Sequence, residues 1–156
     1  MQANDVVELN IPAKPEYVGV VRLLISGLAS RLGFSFDEIE DMKVAVAEAC
    51  TNAVTHAYQE QEGSIRVKCL TYPNRLEIVV IDHGQRFEVN QIKRYSRPIS
   101  HKTEIQTLYE GGLGLYLIEA LMDRVEIQKK DGIMIQMTKF KEVESNDRPV
   151  QTSSSS

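Results

Sequence analysis

The stretch MKVAVAEACTNAVTHAYQ, residues 42–59, decides how the rest of the chain is read. Apolar residues occupy nearly the whole helical wheel here, yet Glu48, Asn52 and His56 follow one another at intervals of four. That interval stacks the three along one edge of a helix, about one turn apart. Between Met42 and Tyr58 the only charged residues are Lys43 and Glu48, so this is no ordinary solvated helix and its carboxylate is conspicuous. An unpaired buried carboxylate costs several kcal/mol, a large part of the ~5–15 kcal/mol that holds a small domain folded. Glu48 therefore needs a partner, a water-filled cavity or a chemical task.

Upstream, SFDE at 35–38 announces this helix: Ser35 can cap it, and Glu38, three residues on, can complete a capping box. Before that, EYVGVVRLLISGLASRLG at 16–33 repeats its apolar residues at helical spacing until Gly33, and DVVELNI at 5–11 alternates as a strand. Downstream, SIRVKCLTY and RLEIVVID flank Pro73-Asn74 as a hairpin, and the more continuous apolar run of the second strand predicts a central position for it. From Asp82 to Glu110 the pattern dissolves into Gly, Ser, Pro and mixed charge, the length of a functional lid rather than a simple connection. GGLGLYLIEALMD then opens a third helix, followed by the strands RVEIQK and GIMIQMTKF.

This order predicts one α/β domain over residues 1–142, a two-layer α/β sandwich with helices on one face of a mixed, mainly antiparallel sheet. The polar ESNDRPVQTSSSS end predicts a disordered tail over 143–156. Neighbouring helices are expected to cover Val44, Ala45, Ala47 and Val54, which lie off the main stripe and leave one edge to Glu48 and Asn52.

With 156 residues, 42% of them hydrophobic and 26% charged, the chain has the composition of an ordinary soluble domain. The formal charge of −4 argues against direct nucleic-acid binding and suits a partner with a basic surface. Cys50 and Cys69 form no CxxC and no metal-ligand cluster, so both are expected reduced and buried. No apolar run approaches the roughly 20 residues that span a bilayer, and the start MQANDVVELN lacks signal-peptide regions. The expectation is a cytoplasmic protein with no membrane partner.

Two further motifs carry chemistry. VVIDHGQRF ends a strand in Asp82, which can accept a hydrogen bond from an exocyclic amine, while Gly84 lets backbone approach a flat ring. In EGGLG the glycines Gly111, Gly112 and Gly114 open a helix whose first-turn amides suit phosphate oxygens. Each alone has an ordinary reading: GGLG can be a tight turn, Glu48 can be tied to an arginine, and Asn52 can be satisfied by backbone.

In this order the three motifs resemble the GHKL ATPase and kinase superfamily, with its Bergerat nucleotide-binding fold. Within it, PEYVGVVRLLISG, EIEDMKVAVAEACTNAVTHAY and EGGLGLYLIEALMD are similar to the bacterial anti-sigma factor serine-protein kinases of the sigma-B type, over roughly residues 5–140. The resemblance implies that Glu48 is the catalytic base and Asn52 a magnesium ligand at the nucleotide. It implies that Asp82 recognises adenine with Gly84 beside the ring, and that Gly111, Gly112 and Gly114 hold phosphates. It adds Leu115 and Thr138 to the ATP-binding set and puts Arg22 on a partner-binding face. His56 reads rather as an intramolecular hydrogen-bond partner.

ATP and Mg²⁺ are the implied cofactors. The implied partners are a sigma factor, an anti-anti-sigma protein as serine substrate, and a second copy of the chain. Arg86 departs from the family, standing where many relatives have a second glycine; a positive φ there would strain arginine by roughly 1 kcal/mol, which predicts a different loop path. Two other functions fit the same motifs: an ATP-dependent sigma-sequestering module with negligible kinase activity, and a GHKL ATPase in which Glu48 activates water.

Overall fold

The computed structural model of the chain describes residues 2–57, 63–82, 113–129 and 133–142. The expected lid beyond Asp82, Gly84, Arg86, Gly111, Gly112 and the 143–156 tail lie outside the described residues, as does the His56 side chain. The elements are β1 (Asp5–Pro12), a 3-10 turn (Pro15–Tyr17), α1 (Val18–Leu32), α2 (Phe36–Ala57), β2 (Ser64–Thr71), β3 (Arg75–Asp82), α3 (Leu113–Leu121), β4 (Arg124–Lys129) and β5 (Ile133–Phe140).

The strands form one sheet in the order β1-β2-β3-β5-β4, which puts β3 in the middle as its apolar run predicts. All four described pairings are antiparallel, so the parallel component expected of a mixed sheet is not found among them. β4 runs in the same direction as β3 but is kept from pairing with it by β5, which lies between them. Strand alternation gives the sheet two unlike faces. Ile65, Val67, Cys69, Leu76, Ile78, Val80, Ile133, Ile135 and Met137 are buried on one face, in a single core with the helices.

α1 contributes Val18, Val21, Ile25 and Ala29 at spacings of three and four. It ends at Gly33, whose φ of 89° is the left-handed conformation a helix stop of this kind requires. The N–H of Gly33 donates to Ser30 O and that of Phe34 to Ala29 O, a Schellman closure.

α2 starts with the predicted capping box: Ser35 N donates to Glu38 Oε1 at 2.7 Å, and Glu38 N donates to Ser35 Oγ at 3.1 Å. It buries Met42, Ala45, Val46, Ala49, Cys50 and Ala53 and packs on α1, α3 and β3. Val44 departs from expectation. It is 41% exposed, because α1 and α3 cover the flanks of α2 on either side of it and leave an open furrow between α1 and α2.

The end of β5 fastens the helices to the sheet. Lys139 Nζ donates to Leu121 O at the end of α3 and forms a 3.4 Å ion pair with Asp41 of α2, while Lys141 Nζ donates to Leu32 O at the end of α1. A cation at a helix C-terminus meets carbonyls that have no partner in the helix. No described helix is long and apolar enough to cross a membrane.

Candidate functional site

Glu48 and Asn52 lie one turn apart on α2, and Gly114, in the first turn of α3, faces both. A Cβ on Gly114 would stand 2.9 Å from Glu48 Oε1 and 3.3 Å from Asn52 Nδ2. The shorter distance is below ordinary van der Waals contact, so a side chain at 114 would require the Glu48 carboxylate to move from its place against α3. Residues more than 60 positions apart in sequence are thereby brought into one cluster.

Among the described residues Glu48 has neither a hydrogen-bond nor an ion-pair partner. The reading of Glu48 as a carboxylate tied to an arginine is therefore not what these residues show. Asn52 Nδ2 is buried and also lacks a hydrogen-bond partner. Native interiors satisfy nearly all such groups, so two adjacent polar side chains without internal partners mark a place prepared for something else.

On its other side Glu48 opens into a furrow of about 380 Å³ between α1 and α2, lined by Arg22, Glu40, Lys43, Val44, Ala47 and Glu48. Lys43 is paired with Glu40 at 3.0 Å, whereas Arg22, exposed on α1, has no described partner. Sequence reasoning put Arg22 on a partner face but missed Lys43, Val44 and Ala47 as its neighbours. The available signal was that Val44 and Ala47, like Glu48, fall off the buried stripe of α2.

Asp82 ends β3, 3% exposed, on the face of the sheet that carries the helices, with Ile65 and Ile133 as its cross-strand neighbours. Leu115 follows Gly114, but its side chain is 2% exposed in the core, so only its main-chain amide remains for a ligand.

Thr138 does not belong to this site. It sits opposite Glu77 and Arg124, on the sheet face away from the helices, whereas Ile133, Ile135 and Met137 share the face of Asp82. Five residues of strand also separate Thr138 from the neighbour of Asp82, roughly 17 Å at ~3.4 Å per residue.

The residues present fit a hard divalent cation. The oxygens of a carboxamide and a carboxylate side by side form the kind of sparse set that Mg²⁺ uses while keeping waters, and the orphaned Asn52 Nδ2, a donor, suits an acceptor such as a phosphate oxygen. They also fit a nucleotide, because the space a Cβ would fill at Gly114 lies beside the first-turn amides of α3, which have no intrahelical acceptors.

Residues 11–139 match the histidine kinase-like ATPase domain family. The chain is 50% identical over 139 residues to the serine-protein kinase RsbW of Bacillus pumilus (strain SAFR-032), covering 87% of this chain and 86% of that one. It is 47% identical over 156 residues to the serine-protein kinase RsbW of Oceanobacillus iheyensis, covering 97% and 99%. The crystal structure of the RsbU and RsbW domains of Rv1364c from Mycobacterium tuberculosis shares the fold, with a TM-score of 0.61 at 21% identity over 89% of this chain and 33% of that one. The matched span contains Glu48, Asn52, Asp82 and Gly114, and the chain belongs to the histidine kinase-like ATPase domain family and, within it, to the RsbW serine-protein kinases.

Proposed function

We propose that the protein is an anti-sigma factor and serine-protein kinase. It sequesters a sigma-B-type stress-response sigma factor in the cytoplasm and uses MgATP to phosphorylate the anti-anti-sigma antagonist on a serine. Unphosphorylated antagonist occupies the kinase and releases sigma; phosphorylation reverses the exchange. The observation that carries this reading is the meeting of Glu48, Asn52 and Gly114, two of them with polar groups that lack a partner among the described residues.

In this mechanism Asp82 accepts a hydrogen bond from the adenine amine, and the amides of Gly114 and Leu115 face the phosphates. Asn52 supplies the oxygen that holds Mg²⁺, whose contribution is to neutralise charge on the phosphates. Glu48 takes the proton of the serine hydroxyl as the serine oxygen bonds to the γ-phosphorus and the bond from phosphorus to the bridging oxygen breaks, leaving ADP. Gly84, Gly111 and Gly112 complete the nucleotide contacts, and Arg22 meets the protein partners.

The chain acts as a homodimer. Supporting this, the sheet face away from the helices pairs Val6 with Leu70 and Ile81 with Met134, apolar positions interspersed with Arg66, Lys68, Glu77 and Gln136. Residues 1–142 form the working domain and 143–156 a dispensable tail.

The deciding experiment follows labelled γ-phosphate from MgATP to the cognate anti-anti-sigma protein, with wild type and Glu48→Gln side by side. Label on serine with wild type alone is the expected result. Equal transfer by both would move the base elsewhere. Binding of ATP and sigma without transfer by either would leave a sequestering module.

A further inference from the structure

We infer that Lys139 is a positioning residue for phosphoryl transfer: by tying the end of α3 to α2 it sets where the Glu48 carboxylate stands against the first turn of α3; this rests on the kinase reading above. Strand alternation puts Lys139 on the helix-bearing face of β5, with Ile133, Ile135 and Met137. Its Nζ donates to Leu121 O at 2.6 Å and reaches Asp41 Oδ2 at 3.4 Å. Leu121 is the last residue of α3, and Asp41 lies in the second turn of α2. One ammonium group thus holds both helices that carry the site.

The two helices meet along one seam. On α2, Asp41, Ala45, Glu48 and Asn52 recur at intervals of four, three and four, which puts them on one edge. On α3, Gly114, Ile118 and Leu121 share an edge in the same way. Gly114 faces Glu48 and Asn52 at one end, and Lys139 joins Leu121 to Asp41 at the other, so the helices run antiparallel. Asp41 precedes Glu48 by seven residues, and Leu121 follows Gly114 by seven. Each span is about 10 Å at 1.5 Å per residue, so the two junctions match in register. Between them Ala45 and Ile118 are fully buried, and close-packed side chains carry a displacement from one end of so short a seam to the other.

Lys139 is not what keeps α3 on the sheet. Asp123 N donates to Thr138 O at 2.9 Å, and Asp123 Oδ2 accepts from Phe140 N at 2.7 Å, so the turn after α3 is docked on β5 on both sides of Lys139. Those bonds set α3 against the sheet, whereas the ammonium sets it against α2. The pair with Asp41 is long and the Asp41 side chain is 39% exposed, which makes it a poor source of stability. What it supplies is placement. A shift of about 1 Å between reacting groups can cost on the order of a hundredfold in rate.

The test substitutes Lys139→Met, which keeps an unbranched side chain but removes the charge and the donors. Lys141→Met is the control, because Lys141 Nζ likewise donates to a helix end, Leu32 O of α1 at 3.0 Å, away from the seam between α2 and α3. Steady-state transfer to the cognate anti-anti-sigma protein is measured on the full chain well below the melting temperatures, with ATP affinity by calorimetry. Lys139→Met is expected to lower kcat tenfold or more, with KM for the antagonist and ATP affinity within threefold of wild type. Lys139→Arg, which can donate to carbonyl and carboxylate together, should recover kcat to within threefold, and Lys141→Met should leave it unchanged. Combined with Gly114→Ala, Lys139→Met should cost far less than the product of the two separate losses, since both displace Glu48 relative to α3.

A wild-type kcat in Lys139→Met overturns this role, and so does an equal fall in Lys141→Met, which would reduce Lys139 to a helix cap. Losses that multiply with Gly114→Ala overturn it as well. Should Lys139→Met fail to fold, Asp41→Ala decides instead: it leaves the bond to Leu121 and removes only the tie to α2. There kcat should fall at least threefold, and a wild-type value overturns the role. The amide resonances of Gly114 and Leu115 give a readout apart from transfer, since Lys139→Met should shift them and Lys141→Met should not. A wild type that transfers no phosphate overturns the kinase reading, and those resonances still decide whether Lys139 places α3.

Discussion

Gly114 on α3 and Glu48 on α2 are packed so closely that a Cβ on the glycine would lie 2.9 Å from the glutamate Oε1. The contact brings the carboxylate on α2 against the first turn of α3. A flexible glutamate can swing away from an added methyl, so the structure tolerates a larger residue at 114 only by moving the carboxylate.

Gly114→Ala should therefore separate folding from chemistry. Alanine is favoured over glycine inside a helix by about 1 kcal/mol, which offsets part of the local crowding. The protein should stay folded, with a melting temperature within a few degrees of wild type, while transfer to the antagonist falls at least tenfold. Thermal unfolding beside a labelled-phosphate assay checks this. Full activity would mean that the position of Glu48 against α3 does not matter.

Asp82→Asn keeps the size of a side chain that is 3% exposed but exchanges an acceptor-only carboxylate for an amide that presents N–H to the adenine amine. A hydrogen bond to a charged group contributes about 1.5–3 kcal/mol, so ATP affinity should drop by roughly tenfold to a hundredfold. Calorimetry with ATP reads the change directly, and wild-type affinity would remove Asp82 from the adenine site.

The helices, the hairpin, the capping box and the stop at Gly33 were legible because each depends on residues close in sequence. The contact of Gly114 with Glu48 was legible only through motif resemblance, since nothing local to EGGLG says which helix it will meet. Val44 was misread for the same reason: periodicity tells which side of α2 is apolar, but not that the gap between α1 and α2 stays open there. Thr138 is a different failure. Counting in twos along GIMIQMTKF puts Thr138 with Met134 and Gln136, apart from Ile133, Ile135 and Met137, so strand parity alone argued against a place beside Asp82.

That correction has its own test. Thr138→Val preserves shape and β-propensity at a site on the far face of the sheet. ATP affinity should remain within twofold of wild type, and any loss should appear in thermal stability instead. A tenfold weaker affinity would return Thr138 to the nucleotide site.

The cysteines make a prediction about pH. Burial pushes both thiols up to about 12 from an ordinary 9.0, with the neighbouring Cys69 adding to the effect at Cys50. Below about pH 9 both are protonated in folded and unfolded chains alike, and their contribution to stability is fully present. As pH rises from there toward about 12 the unfolded chain releases protons that the folded one retains, so stability falls. The urea midpoint should therefore be lower at pH 10 than at pH 8, and less so in Cys50→Ala. At pH 8 iodoacetamide should modify neither thiol until urea unfolds the chain; rapid native labelling would show that these cysteines are accessible.

Glu38 is where the sheet and the helical layer are joined by a single carboxylate. Its Oε1 accepts from Ser35 N and its Oε2 from Glu142 N, 104 positions away, so one side chain closes the start of α2 and holds the chain as it leaves β5. Glu38→Ala removes both acceptors at once. Loss of a helix cap alone costs about 1 kcal/mol, and main-chain donors left without partners add about 1–3 kcal/mol each to the extent that they remain buried. The expected destabilisation is thus about 2 kcal/mol or more, a fall in melting temperature of roughly 4–8 °C for a chain of this size. Glu38→Gln retains one acceptor oxygen and should lose about half as much. Because Glu38 lies nearly three turns from Glu48, ATP affinity measured well below the melting temperature should not change in either variant. A stability equal to wild type in Glu38→Ala would mean that water replaces the carboxylate at both amides.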